Sequence, residues 1–187
     1  MDGVTRCDIR SKDHITDLSR LIHEISQKDT DALEDLFLQC RKGIQTVAYS
    51  ITRDMQISED VLQEAILYIW NHAGEFRNGG HPKAWIYMIV RHLSIDMVRK
   101  KHDWVSIEEF DDQPLPEELT TNADLDSEIT LRTGIDQLGT VEAQIFVLKA
   151  IVGFSHYETA RLMKISYRSV QHRYRSAISK LKKILAE

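Results

Sequence analysis

The sequence predicts an all-α protein of two small helical domains joined by an acidic linker, and three observations carry that expectation. Apolar residues recur at threes and fours through most of the chain, and strand-like alternation is absent. From Asp103 to Glu128 there are ten acids and no Lys or Arg, with Pro114 and Pro116 among them, a composition that disfavours a helix and favours an extended segment. Beyond it, two helix-start signals follow closely at Ser155 and Ser166, the layout of a helix-turn-helix.

At 187 residues, with 42% hydrophobic and 28% charged residues, the chain has enough apolar material for two cores and is not of disordered composition. The expected division is residues 1–27 as an N-terminal extension, 28–102 as a first domain, 103–127 as the linker and 128–187 as a second domain. In the extension, Ile15, Leu18, Leu21, Ile22 and Ile25 form a weak apolar pattern that predicts a short leading helix with the rest unstructured.

Between residues 31 and 51, Leu33, Leu36, Phe37, Cys40, Ile44, Val47, Ala48 and Ile51 make one apolar helical face. Ser58 is the expected N-cap of the next helix, whose stripe is Val61, Leu62, Ala65, Ile66, Ile69 and Trp70. Asp60, Gln63 and Glu64 fall largely outside that stripe; Glu59 and Asp60 also suit the positive end of a helix dipole. The Asn78-Gly79-Gly80-His81 stretch is a loop, and Pro82 opens a third helix running through Trp85, Ile86, Ile89, Leu93, Met97 and Val98, with a break expected near His92.

In the second domain a helix is expected from about Ile129 to near Gly139, and another from Thr140 towards Gly153. Ser155-His156-Tyr157-Glu158 is a capping box opening a helix with Ala160 and Leu162 inward; Lys164 and Ile165 turn the chain, and Ser166 caps the last helix. At 100° per residue that helix places Val170, Tyr174, Ala177 and Leu181 on one side and Arg168, His172, Arg175 and Ser179 on the other, flanked by Ser169 and Gln171. Such a face is either an ordinary solvated surface or one suited to DNA, because Arg pairs with guanine and Gln with adenine in bidentate fashion.

The net charge of −5 argues against nucleic acid only as an average. From Arg161 to Glu187 eight basic residues face one acid, and Arg91, Arg99, Lys100 and Lys101 form a second basic cluster. Cys7 and Cys40 are far apart without a C-x-x-C, so neither a disulfide framework nor a zinc site is expected. Eight scattered histidines, with no H-E-x-x-H, phosphate loop or nucleophile elbow, point to no catalytic residue, metal, cofactor or small-molecule substrate. The polar N-terminus and the lack of a long apolar run lead to an expected cytoplasmic location.

Two ordered blocks then resemble one family. Ile57-Ser58-Glu59-Asp60-Val61-Leu62-Gln63-Glu64-Ala65 through Trp70 is similar to the "AEDvvQevFlxxW" motif of sigma region 2, and Lys83-Ala84-Trp85 through Lys100 to its "aWLyrIarNlaiDxlRr" continuation. Leu138 through Leu181 resembles sigma region 4, including "gxSyxEIAxxlgisxxTVxxRxxRAxxxL". The matches span about residues 28 to 185, and with no separate domain between them they resemble the extracytoplasmic-function sigma factors.

That resemblance implies a non-catalytic factor that binds core RNA polymerase and directs promoter-specific initiation, controlled by an anti-sigma factor that is often membrane-tethered. Asp60, Gln63 and Glu64 would face the polymerase. Trp85, Arg91, His92, Ser94, Asp96, Arg99 and Lys100 would serve the minus-10 element, although the periodicity of Trp85 equally suits a core residue. Arg168, Ser169, Gln171, His172 and Arg175 would read the minus-35 element, with Arg173 to the side on a phosphate or an internal acid. The linker is either a spacer or a nucleic-acid mimic in the polymerase channels. His92 replaces the family's Asn, Gly139 its Pro, Ala143 its Arg, and Gln171-His172 its basic-Ser pair, which leaves the preferred bases open. The competing expectation is a helix-turn-helix repressor or activator binding an operator as a homodimer, in which the Asp60 stripe has no role.

Overall fold

A computed structural model of the chain describes residues 10–77, 79–101 and 125–184. Among them every regular element is helical: α1 Arg10–Ser26, α2 Thr30–Thr52, α3 Met55–His72, α4 Pro82–Lys101, α5 Leu125–Asp136, α6 Thr140–Phe146, α7 His156–Met163 and α8 Tyr167–Ile184. A 3-10 turn follows α3 at Ala73–Glu75, and a π-helical turn, Val147–Ile151, prolongs α6. The linker expected at 103–127 lies outside the described residues as far as residue 124.

The first bundle is built around α2. Asp29 caps that helix, its carboxylate accepting from the Asp31 and Ala32 N–H groups at 2.9 and 3.2 Å. The buried face includes Leu36, Ile44, Val47 and Ala48, each at most 2% exposed, and it packs on α1, α3 and α4. The leading helix is integral to this core: Leu21, Ile22 and Ile25 are at most 1% exposed. At about 1.5–3 kcal/mol for each buried large side chain, α1 contributes substantially to the bundle. Between α1 and α2 the chain turns at Lys28, in the left-handed region at φ 68°. Its ammonium donates to the Trp70 carbonyl at 3.0 Å and sits 4.8 Å from the Trp70 ring centre, which ties the turn to the end of α3.

Two local expectations are corrected. The cap of α3 is Asp54, whose carboxylate accepts from Gln56 and Ile57 N–H at 2.9 and 3.1 Å. Ser58 is inside the helix, fully buried, and its hydroxyl donates back to the Asp54 carbonyl at 2.5 Å. No break occurs near His92, since α4 is continuous; one polar residue on an exposed face leaves the backbone hydrogen bonds of a helix intact.

In the second bundle Ile135, Ala143, Ile145, Val147, Leu148, Val170 and Ala177 are at most 1% exposed. Gly139 caps α6 in an extended conformation (φ −60°, ψ 152°). Gly153, at φ 83°, lets the chain reverse out of the π-helical turn into α7. The capping box forms in both directions: Glu158 N–H donates to Ser155 Oγ at 3.2 Å, and Ser155 N–H donates to the Glu158 carboxylate at 2.8 Å. Lys164 ends α7 at φ 57°, and Ser166 Oγ accepts from Ser169 N–H at 3.1 Å to start α8. Ala160 is buried as expected, but Leu162 is only half-buried, and Thr159 and Met163 complete the inner face of α7.

Candidate nucleic-acid interface

The first exposed surface lies on α3. Val61, Ala65 and Ile69 are fully buried beneath it, and Asp60, Gln63 and Glu64 all project to solvent. Because the helix is capped at Asp54, Asp60 sits in its second turn, beyond the range where helix-end electrostatics alone explains an acid. The stripe continues in helical register to Leu67 and Tyr68, 62% and 39% exposed. Tyr68 is held in place by His72: the rings stack at 3.9 Å, and His72 Nδ1 lies 2.9 Å from the Tyr68 carbonyl oxygen. Sequence reasoning stopped at Glu64. The same threes-and-fours spacing carried forward from Asp60 reaches Leu67 and Tyr68.

On α4 the residues assigned to DNA separate into four environments. His92, Asp96, Arg99 and Lys100 are exposed, and Arg99 approaches Asp96 at 4.0 Å in a solvent-facing pair worth little energy. Trp85 is half-buried, its ring tilted against Phe76 at 5.4 Å, so it is part packing and part surface. Met88, 42% exposed, lies between Trp85 and His92 on this face and was missed. Ser94 lies under the face: it is fully buried and its hydroxyl donates to the Val90 carbonyl at 2.7 Å. Arg91 points the other way, with Nε donating to Gln144 Oε1 of α6 at 3.3 Å, and burial lowers its pKa.

The third surface is α8. Arg168, His172 and Arg175 are exposed along one side; Ser169 and Gln171 are half-buried flankers. Arg173 is half-buried about 140° around the helix from Arg168. The helix is anchored from behind by Lys180, which donates to Glu142 of α6 at 2.6 Å. Burial by itself would raise the Glu142 carboxyl; the hydrogen bonds from Lys180 and Ser176 outweigh it and hold the group below the usual carboxylate range.

A basic aromatic shoulder adjoins this face. His156, the first residue of α7, has its ring 5.7 Å from both Tyr167 and Tyr174, and the Lys149 ammonium lies 4.9 Å from the Tyr174 ring centre. Slight burial and the charges of Lys149 and Arg175 lower the His156 pKa, which favours the uncharged imidazole. Tyr157 and Tyr167 are 63% and 51% exposed. These tyrosines give no periodic signal and were not picked out from the sequence. Among the described residues no group of three or more His, Cys, Asp or Glu could hold a metal, and Cys40 is buried.

Comparison with known proteins accounts for both bundles. Residues 36–112 match the family model for sigma-70 region 2, and residues 129–181 match that for sigma-70 region 4. The ECF RNA polymerase sigma factor SigX of Bacillus subtilis (strain 168) is 28% identical over 152 residues, covering 74% of this chain and 77% of that protein. The ECF RNA polymerase sigma factor EcfG of Rhodopseudomonas palustris (strain TIE-1) is 25% identical over 159 residues, 83% of this chain and 86% of its own. In fold, CnrH, solved with the cytosolic domain of CnrY, superposes with a TM-score of 0.65 at 20% identity over 91% of this chain and 97% of its own. The sigma factor RpoE, solved with the anti-sigma factor NepR from Bartonella quintana, does so with a TM-score of 0.62 at 21% identity, over 82% and 96% of the two chains.

Proposed function

This chain belongs to the sigma-70 family, in its extracytoplasmic-function class, and from that premise we propose how its three surfaces divide the work of promoter-specific initiation. The observation that carries the proposal is that the α3, α4 and α8 stripes are all solvent-facing, on elements anchored from behind by packing. Asp60, Gln63 and Glu64 supply charge that orients the chain on core RNA polymerase, and Leu67 and Tyr68 supply the apolar contact that holds it there.

The minus-10 element belongs to α4. His92, Arg99 and Lys100 contact the strand, Asp96 orients Arg99, and Trp85 with Met88 forms the apolar wall against which an extruded base stacks. Extrusion costs a few kcal/mol, which stacking of about 1–3 kcal/mol per base offsets. Ser94 supports this wall from beneath, and Arg91 is available to DNA only when it leaves Gln144. On α8, Arg168, Gln171, His172 and Arg175 read the minus-35 duplex, with Ser169 and Arg173 at its phosphate edges.

The polymerase performs the chemistry, and the factor itself acts without a catalytic residue, in the cytoplasm where polymerase works. Among the described residues no helix is long and apolar enough to cross a membrane. An anti-sigma factor is its regulatory partner, by analogy with the NepR-bound relative. The division is domains 28–102 and 128–187 with a linker between them, α1 being built into the first.

Binding assays with purified core polymerase and with duplex DNA test this assignment. Tight core binding lost in Asp60→Ala/Glu64→Ala, with weak binding to DNA by the chain alone, is the expected outcome. A homodimer that binds a symmetric operator tightly without polymerase would overturn it.

A further inference from the structure

The last helix begins at Tyr167, one residue ahead of Arg168, and this side chain is 51% exposed. Tyr167 and Gln171 are one helical turn apart and share a side of α8, so the tyrosine carries the reading side back to the start of the helix. The side chains assigned above to the minus-35 duplex, Arg168, Gln171, His172 and Arg175, are polar and suit the hydrogen-bonding edges of bases. Tyr167 adds a large apolar surface beside them.

That surface is braced. Ser166 Oγ accepts from the Ser169 N–H at 3.1 Å to set the start of α8, and the Ser155–Glu158 capping box sets the start of α7. The box places His156, the first residue of α7, with its ring 5.7 Å from that of Tyr167 at a tilt of 52°. The same imidazole meets Tyr174 edge-on, at 5.7 Å and 89°. Tyr174 in turn packs on the core of the second bundle and carries the Lys149 ammonium 4.9 Å from its ring centre. Contacts therefore run from the core to Tyr174, to His156 and out to Tyr167, at separations where tilted and edge-on ring pairs are favourable. A side chain already restrained in this way loses less conformational freedom on binding than a free one, so the Tyr167 ring is preorganised for a contact.

The major groove defines what such a ring can recognise. A recognition helix presents its N-terminal residues to base edges, and side chains tilt towards the helix N-terminus, so the first residue projects past the helix start towards those edges. The apolar feature displayed there is the 5-methyl group of thymine. We propose that Tyr167 is a specificity-determining residue that reads one thymine methyl in or beside the minus-35 element, and that His156 is the positioning residue that aims it. This rests on the assignment of α8 to the minus-35 duplex made above. The contact uses the ring, distinguishes one base pair and survives loss of the tyrosine hydroxyl, whereas a phosphate contact through that hydroxyl does none of these.

The test replaces thymines by deoxyuridine, which removes the methyl group alone. Core polymerase loaded with the full chain is titrated against duplexes of a chain-dependent promoter, each carrying deoxyuridine at one thymine of either strand around the minus-35 element. At one position the substitution weakens wild-type binding about fourfold, the weight of one buried methyl-sized group. Tyr167→Ala abolishes that difference and Tyr167→Phe retains it. His156→Ala reduces the difference without weakening binding to the deoxyuridine duplex, and His156→Phe, which keeps a ring against Tyr167, restores it.

A wild-type chain indifferent to every thymine methyl would overturn the proposal. So would a methyl penalty that persists in Tyr167→Ala, or a Tyr167→Phe chain that loses affinity equally for all duplexes, which is the signature of a phosphate contact. A His156→Ala chain with the full wild-type difference would remove the positioning role. If polymerase loaded with the chain binds no promoter, but the chain alone binds duplex DNA with the same Tyr167-dependent penalty, the tyrosine assignment stands and the sigma reading fails.

Discussion

Leu67→Ala tests the polymerase-binding face with a magnitude that the structure fixes. Leu67 is 62% exposed in the free chain. Burying a whole leucine side chain is worth about 1.5–3 kcal/mol, so covering the exposed share against a partner contributes about 1–2 kcal/mol. Truncation therefore weakens core polymerase binding roughly 5- to 30-fold. The exposed part makes little contribution to the free fold, so stability stays within about 0.5 kcal/mol of wild type. Titration of core polymerase by fluorescence anisotropy, with a urea melt of the same samples, reads both quantities. Wild-type affinity in a normally folded Leu67→Ala chain would refute the reasoning and remove Leu67 from the interface; a loss of affinity matched by a comparable loss of stability would assign the residue to the fold.

Ile22→Ala removes a fully buried side chain and should cost about 2–5 kcal/mol in denaturant unfolding; a cost under 1 kcal/mol would show that α1 is not part of the first core. Ser155→Ala deletes one side of the capping box and should destabilise the second domain by about 1 kcal/mol, read as an earlier thermal transition. Glu158 is held below the usual carboxylate range, first by the Ser155 hydroxyl and then, against some burial, by the Ser155 N–H and nearby cations. A depressed carboxyl contributes stability that is full above its unfolded value, about pH 4.3, and is lost as pH falls through the folded value; Glu158→Gln should flatten that part of the acid limb. Arg175→Gln should lower the salt slope of promoter binding by about 0.9 if the residue neutralises one phosphate, and an unchanged slope would remove it from the contact.

Much of the fold was readable from the sequence because helical periodicity and side-chain capping are local. The α2 face and the Ser155–Glu158 box needed no knowledge of other elements. Ser58 misled because Asp54 and Ser58 are both cap-type residues one turn apart, and choosing between them depends on which side chain is exposed at the helix end. Ser94 was readable in principle: Ile86, Val90, Ser94 and Val98 follow one another every fourth residue, and all are buried. A serine that satisfies its own hydroxyl on the previous turn fits such a stripe. Arg91 was not readable in this way. Its helical face could be projected, but nothing local says that the second domain covers that face, because the contact with Gln144 spans 53 residues. The Arg53 contacts with Ile135, Asp136 and Leu138 are invisible for the same reason: they span 82 to 85 residues, and two of the three acceptors are backbone carbonyls, which leave no trace in residue identity.

The central claim, that this chain converts core polymerase into a promoter-specific enzyme, is tested most directly by transcription from a genomic fragment library with core polymerase, in the presence and absence of the chain. The account predicts a set of chain-dependent transcripts whose start sites share one pair of upstream elements, and loss of that set in Asp60→Ala/Glu64→Ala. No chain-dependent transcripts from polymerase that is active with another initiation factor would contradict it.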